Sequence, residues 1–235
     1  MNVALLEIKK TGDNKDFNGG FGTAFQVGNS VRSKLLQYVR ARSESFPTMS
    51  YTYIAAIFKK YDHSVEYFVN VMPKSSDILL MHVSLIRHKE EVHFLKELKS
   101  SGFKNIGVYG PLASVKPELF EDADFIIVGE PENVILTICK NGKIPQGKVY
   151  SNPVMDLDTS PFPDWSVFNV NEYSFSPVLP LKPCVFVLAS RGCPYKCSYC
   201  PYLVFGTHRV RKPEKVVEEF IYLKERYGIK ACYFR

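Results

Sequence analysis

The sequence predicts an α/β protein whose first 141 residues form a doubly wound parallel sheet. Three observations predict it. Short apolar runs of strand length recur through this part, and amphipathic stretches of helical period separate them. Glycine or proline stands just after several of the runs, where a strand would turn into a helix. Strands of this length alternating with helices imply a parallel sheet covered on both faces.

The elements follow in order. Val3–Ile8 reads as a buried strand and Val65–Val69 as a second. Asp77–Ser84 is a third, Asn105–Tyr109 a fourth and Asp124–Val128 a fifth. Helices are expected at about 47–60, 88–100 and 132–140, with Val92, Leu95 and Leu98 on one face of the middle one. Between the first strand and the first of these helices lie a loop signal, Asn18-Gly19-Gly20-Phe21-Gly22, and a further helical stretch at 30–42.

Residues 142–183 change character, holding seven of the fifteen prolines and the single tryptophan, Trp165. Proline at this density opposes helix and central strand alike. The stretch reads as an extended connector, anchored by the apolar residues of Phe162-Pro163-Asp164-Trp165. Alternation resumes at 184–235. Cys184–Ala189 is a strand, a cysteine-rich loop follows, and a helix at about 213–227 begins with Pro213 in its first turn. That helix carries Val216, Val217, Phe220 and Leu223 on one side, and Lys230–Phe234 is a last strand.

Bulk properties narrow the function classes. At 235 residues, 46% hydrophobic and 23% charged, the chain is an ordinary globular protein of one large or two small domains. A formal charge of +6 suits anionic small ligands. Nucleic acid is not expected, since that calls for a concentrated basic face. The start lacks a signal-peptide pattern, and no apolar run approaches the roughly 18 residues of a membrane helix, so a cytoplasmic protein without a membrane span is expected. The six cysteines lie at 139, 184, 193, 197, 200 and 232. In a reducing compartment, crowding of Cys193, Cys197 and Cys200 argues for metal or cluster binding rather than disulfides.

The spacing Cys193-x3-Cys197-x2-Cys200 on a glycine-led loop suits three irons of a four-iron cluster, since thiolates select iron–sulfur clusters or zinc. A missing fourth ligand leaves one iron open to substrate, which fits catalysis better than electron storage. The alternative is a structural zinc site with Cys184, His208 or Cys232 completing four ligands, although no second Cys-x2-Cys pair exists. The other three cysteines sit in apolar patterns and read as core residues.

The segment Ser190–Tyr202 (SRGCPYKCSYCPY) resembles the signature loop of radical S-adenosylmethionine (SAM) enzymes, with Tyr199 as the aromatic residue before the last cysteine. Arg209–Phe220 resembles the basic segment and first helix that follow in that family. The resemblance implies a [4Fe-4S] cluster on Cys193, Cys197 and Cys200 that binds SAM at its open iron, with Tyr199 near the adenine. Reductive cleavage of SAM would then yield methionine and a 5′-deoxyadenosyl radical that abstracts a substrate hydrogen.

Open α/β sheets bind ligands beyond the carboxyl ends of their strands. The candidate positions here are Ser84 and Leu85, then Gly110, Pro111 and Leu112, then Gly129 and Glu130. A plain strand-to-helix turn explains each of them as well. The order of a sheet, a proline-rich connector and the cysteine loop resembles the cobalamin-dependent branch of the radical SAM family. Gly110-Pro111, Gly129-Glu130-Pro131-Glu132 and the stretch Phe46–Phe58 resemble its ligand loops and first helix. The resemblance implies a flavodoxin-like cobalamin domain, then the first part of a partial TIM-type radical SAM barrel, with cobalamin at those seven positions.

This chain departs from the family where Tyr109-Gly110 stands for paired glycines and Pro131 for a glycine. It contains no Asp-x-His-x-x-Gly motif, so the lower face of a corrin is expected to lack a protein histidine. His82, His88 and His93 read as ordinary polar residues. Family barrels contain several strand–helix units, whereas 184–235 supplies one unit and a second strand. The sequence therefore looks like the front portion of a longer enzyme, with little turnover expected of it alone.

The leading expectation is cobalamin-dependent radical SAM chemistry on a small-molecule substrate, by methyl transfer to an unactivated carbon or by rearrangement. An electron donor such as flavodoxin or ferredoxin would serve it. A radical SAM protein without cobalamin and a non-catalytic, zinc-stapled binding protein are the two other readings.

Overall fold

The computed structural model describes residues 1–16, 20–24, 28–176, 178–195, 197–198 and 206–234. Strand β1 (Asn2–Glu7) is followed by β2 (Asp13–Asn14) and β3 (Thr23–Ala24), which pair antiparallel. Helix α1 (Val31–Ser43) leads through β4 (Glu44–Ser45) to α2 (Ser50–Lys60) and β5 (Ser64–Val69). Next come β6 (Ile78–His82), α3 (His88–Ser100), β7 (Ile106–Tyr109) and α4 (Pro111–Val115). After them stand β8 (Phe125–Val128), α5 (Glu132–Asn141) and β9 (Gly147–Tyr150). The remainder holds β10 (Ser174–Phe175), β11 (Cys184–Val187), β12 (Ser190–Arg191), β13 (Arg209–Val210), α6 (Pro213–Tyr227) and β14 (Ala231–Phe234).

Six strands form one sheet in the order β5-β1-β6-β7-β8-β9, every pair parallel. This is the flavodoxin-like order with one strand added at the far edge. The inner strands are apolar runs because both faces are covered. On one face Leu79, Met81 and Val108 pack with Leu95 and Leu98 of α3 and with Leu112 and Ala113 of α4. On the other, Val3, Leu5, Leu80 and Ile127 pack with Ile54 and Phe58 of α2 and with Ile135 and Ile138 of α5. The connections change direction between β1 and β6, which opens a crevice beyond the carboxyl ends of the strands.

The sixth strand is a departure from expectation. Gly147–Tyr150 lies inside the stretch read as a connector, yet it pairs along β8 from Phe125↔Gly147 to Val128↔Tyr150. Its side chains are largely exposed, so neither an apolar run nor an alternation announces it. Pro145 and Pro153 flank the strand without entering it. The rest of the stretch does carry its anchor: Trp165 is fully buried against Phe168 and Tyr173. Phe162 meets Tyr222 of α6 at 5.4 Å between ring centres, so the segment packs on both neighbours.

Beyond it, β11, α6 and β14 form a parallel strand–helix–strand unit. Val216 and Leu223 face its interior, but Val217 is 53% exposed. Glu219 takes the buried place instead, paired with Arg211. A polar residue hides there because its partner arrives from the cysteine loop, which helix periodicity cannot foresee.

Candidate functional site between the sheet and the cysteine loop

A cavity of about 320 Å³ lies at the carboxyl ends of β6, β7 and β8. His82 ends β6, Tyr109 ends β7, and Gly110 and Gly129 follow β7 and β8; all four line it. Met49, Ser50 and Tyr53 line it from the start of α2. That start is held in place by a hydrogen bond from the Met49 N–H to Asp16 at 2.6 Å, and by Thr48, whose hydroxyl donates to Glu7 at 2.5 Å. The opposite wall is Leu188, Ser190, Arg191 and Gly192, the base of the cysteine loop.

That base is a short antiparallel clamp, with Ser190 opposite Val210 and Arg191 opposite Arg209. Gly192 has a φ of +84°, and a Cβ there would stand 2.5 Å from the Thr207 carbonyl. Only glycine closes the loop so tightly.

Buried ion pairs bind the clamp to the sheet. The Glu130 carboxylate accepts from Arg209 at 2.5 and 3.0 Å, from the Val154 N–H at 2.8 Å, and pairs with Arg191 at 3.0 Å. Arg191 also reaches Glu132 at 2.8 Å. Burial would raise the Glu130 carboxyl, but Arg209, Arg191 and the Val154 N–H together hold it below the usual range. Burial likewise opposes charge on Arg191, and Glu132 and Glu130 reverse that and hold it firmly protonated. Arg211 ties the loop the other way, to Glu219 on α6 and to the Leu188 carbonyl.

The sequence-derived positions divide. Gly110, Pro111, Gly129 and Glu130 line the cavity. Ser84 turns away: its N–H and hydroxyl both donate to Glu91, which is paired with the buried Lys15 at 2.7 Å. Leu85 is exposed, and Leu112, on α4, packs into the core. Cys193 and Cys197 are free, half-buried thiols on the loop above the clamp. Cys200 and Tyr199 lie outside the described residues. Among the described residues no three His, Cys, Asp or Glu side chains converge as a metal site.

Cys184 and Cys232, offered as zinc ligands by the alternative reading, sit in the paired strands β11 and β14. Burial pushes the Cys184 thiol up to about 11. Burial, with Cys184 nearby, pushes Cys232 to about 12. Cys184 is fully buried and Cys232 partly buried in the hydrophobic core, in keeping with their apolar sequence pattern.

Sequence reasoning missed several members of the site. The sequence offers Tyr53, Arg191 and Glu132 only as members of longer resembling stretches, and His82 reads there as an ordinary polar residue. The available signal was position: His82 ends a strand whose carboxyl edge was already the expected ligand edge. Three polar atoms of residues that line this cavity, the Tyr53 hydroxyl, the His82 Nδ1 and the Glu132 Oε2, are enclosed by protein and have no hydrogen-bond partner among the described residues. A corrinoid carries N–H donors and carbonyl acceptors on its amide-bearing rim, which hydroxyl and carboxylate side chains of the lining suit in kind. The volume is at the low end for a bound small molecule and takes part of a ligand of corrin size, not the whole. For an iron–sulfur cluster, the thiols of Cys193 and Cys197 are the fitting donor type.

No family model matches the chain. It is 25% identical over 205 residues to an uncharacterized methyltransferase of Synechocystis sp., covering 82% of this chain and 36% of that protein. An anaerobic magnesium-protoporphyrin IX monomethyl ester cyclase of Rubrivivax gelatinosus is 30% identical over 148 residues, 52% of this chain and 26% of the cyclase. An uncharacterized methyltransferase of Pyrococcus horikoshii is 34% identical over 94 residues, 37% of this chain and 20% of its own length. The chain thus spans little more than a third of these relatives at most. Among the described residues no helix is long and apolar enough to cross a membrane.

Proposed function

We propose that this chain is the cofactor-binding part of a radical SAM enzyme that also carries a corrinoid. The observation that carries the reading is that the base of the cysteine loop and the carboxyl edge of the sheet are two walls of one cavity. Cys193, Cys197 and Cys200 would hold a [4Fe-4S] cluster, and the corrinoid would lie against Gly110, Pro111 and Gly129. When bound, the cluster supplies the electron that cleaves SAM, and the corrinoid supplies a methyl carrier or electron acceptor. The chain's own residues bind and orient: Glu130, Arg191 and Arg209 fix the loop over the sheet, and Ser50, Tyr53 and Glu132 would form part of the wall around the ligand. The names of the relatives, methyltransferases and a cyclase, support an enzyme that transfers a methyl group or closes a ring on a small molecule. An electron donor of the flavodoxin or ferredoxin type would serve it.

Anaerobic reconstitution tests the reading, with iron, sulfide and zinc counted beside a Cys197→Ala control. About four irons and four sulfides per chain are expected, lost in the variant. Stoichiometric zinc without sulfide would sink the proposal and leave a zinc-stabilised binding protein.

A further inference from the structure

Helix α1 is turned inside out. Within its 13 residues, Val31, Leu35 and Val39 recur at steps of four, Tyr38 lies beside them and Leu36 widens the stripe. A surface helix ordinarily points such a stripe at the core. Here all five are between 49% and 85% exposed. Ser33 and Gln37, on the opposite side of the helix, are half-buried instead. Neither core cluster, among the described residues, takes in a residue of α1.

The helix forms for local reasons. The Ser30 hydroxyl accepts the Ser33 N–H at 3.1 Å and the Ser30 carbonyl accepts the Lys34 N–H at 2.9 Å, which closes the first turn. A helix this short is nevertheless marginal in water, and most of its stability comes from covering an apolar face.

Charge says what covers this one. Arg32, Lys34, Arg40 and Arg42 are basic, and no residue of the helix is acidic. Arg32 and Lys34 are exposed, and the helical period sets them on either flank of the line through Val31, Leu35 and Tyr38. Two copies of such a helix would bring like charges together, which opposes self-pairing. An apolar stripe rimmed by cations fits a surface with anions outside and hydrocarbon beneath. We propose that α1 lies flat on a bilayer containing anionic lipids, with its apolar residues among the acyl chains and its basic residues at the headgroups. At about 20 Å the helix docks the chain on the membrane without spanning it.

The test is flotation of the 235-residue chain with vesicles of phosphatidylglycerol and phosphatidylcholine, beside vesicles of phosphatidylcholine alone. Binding to the anionic vesicles is expected, weaker on the neutral ones and falling as salt rises. Each basic residue at such a surface strengthens binding about five-fold, so Arg32→Gln with Lys34→Gln should weaken it about 25-fold. Leu35→Gln should weaken it about ten-fold by removing apolar area. These positions are exposed, so urea melts of both variants should match the parent chain. Lys143→Gln with Lys148→Gln removes the same charge from the exposed far edge of the sheet and should leave binding unchanged. Absence of flotation with the anionic vesicles would overturn the proposal. Flotation that ignores Leu35→Gln, or that falls equally in the Lys143 and Lys148 variant, would reduce the contact to bulk charge and overturn it too. A concentration-dependent dimer in place of flotation, dissociated by Leu35→Gln, would assign the stripe to a second copy and overturn the membrane assignment.

Discussion

Replacing Glu130 by glutamine should uncouple the cysteine loop from the sheet. The side chains of Glu130 and Arg209 are 5% and 4% exposed, and the carboxylate also serves Arg191 and the Val154 N–H. Glutamine keeps the shape but removes the charge, and its amide NH2 must face a guanidinium N–H. Breaking a buried ion pair from one side costs about 3–5 kcal/mol. Arg191 retains Glu132 at 2.8 Å, so the lower end, about 3 kcal/mol, applies here. For a chain of this size each kcal/mol moves the melting temperature by about 2–4 °C, so a fall of roughly 6–12 °C is expected. Thermal and urea melts read it, and limited proteolysis should find the segment between Gly192 and His208 cut faster. Adding Arg209→Met should restore part of the loss, with a coupling of about 2 kcal/mol in the double-mutant cycle. A fall below about 2 °C, or strictly additive effects, would refute the claim that this pair fastens the loop.

Other expectations follow from the same structure. Gly110→Ala puts a side chain on a backbone with φ of +119°, 2.9 Å from the Val83 carbonyl; a loss of about 1–3 kcal/mol in urea melts is expected. Trp165→Ala empties a fully buried site packed against Phe168 and Tyr173, and a cost of about 3–5 kcal/mol should appear in the same assay. His82 is depressed to about 3 in the folded protein and lies near 6.5 when unfolded, so its neutral form favours folding above pH 6.5. As pH falls from 6.5 towards 3 the unfolded state takes up the proton first, and stability drops by up to about 1.4 kcal/mol per pH unit. Urea midpoints should therefore fall less steeply between pH 7 and 5 in His82→Gln; an unchanged slope would contradict the buried neutral ring. Lys15→Met strands Glu91 beside Ser84, and about 3–5 kcal/mol should be lost.

Much of this architecture was legible in local sequence. The strands at Asn2–Glu7, Ile78–His82, Ile106–Tyr109 and Phe125–Val128 are apolar because helices cover both faces, and a run of apolar residues reports that directly. Helices α2, α3, α5 and α6 show their period, and Pro213 and Gly228 mark the ends of the last. Strand β9 did not show itself, because an exposed edge strand owes its existence to the ladder with β8 rather than to its own residues. Val217 and Glu219 exchanged roles for a similar reason, since Arg211 reaches α6 from another element.

The site divides along the same line. By itself the sequence supplied the candidate groups: three cysteines at a Cys-x3-Cys-x2-Cys spacing and glycines after parallel strands, each a matter of near neighbours. Only the tertiary structure decided which groups meet. It turned Ser84 towards Glu91, committed Glu130 to Arg209 and Arg191, and brought His82, Tyr53 and Glu132 to the lining of one cavity. These relations join residues dozens of positions apart, and no short-range pattern encodes them. A buried charge or an orphaned nitrogen acquires its meaning from the partners that folding places beside it.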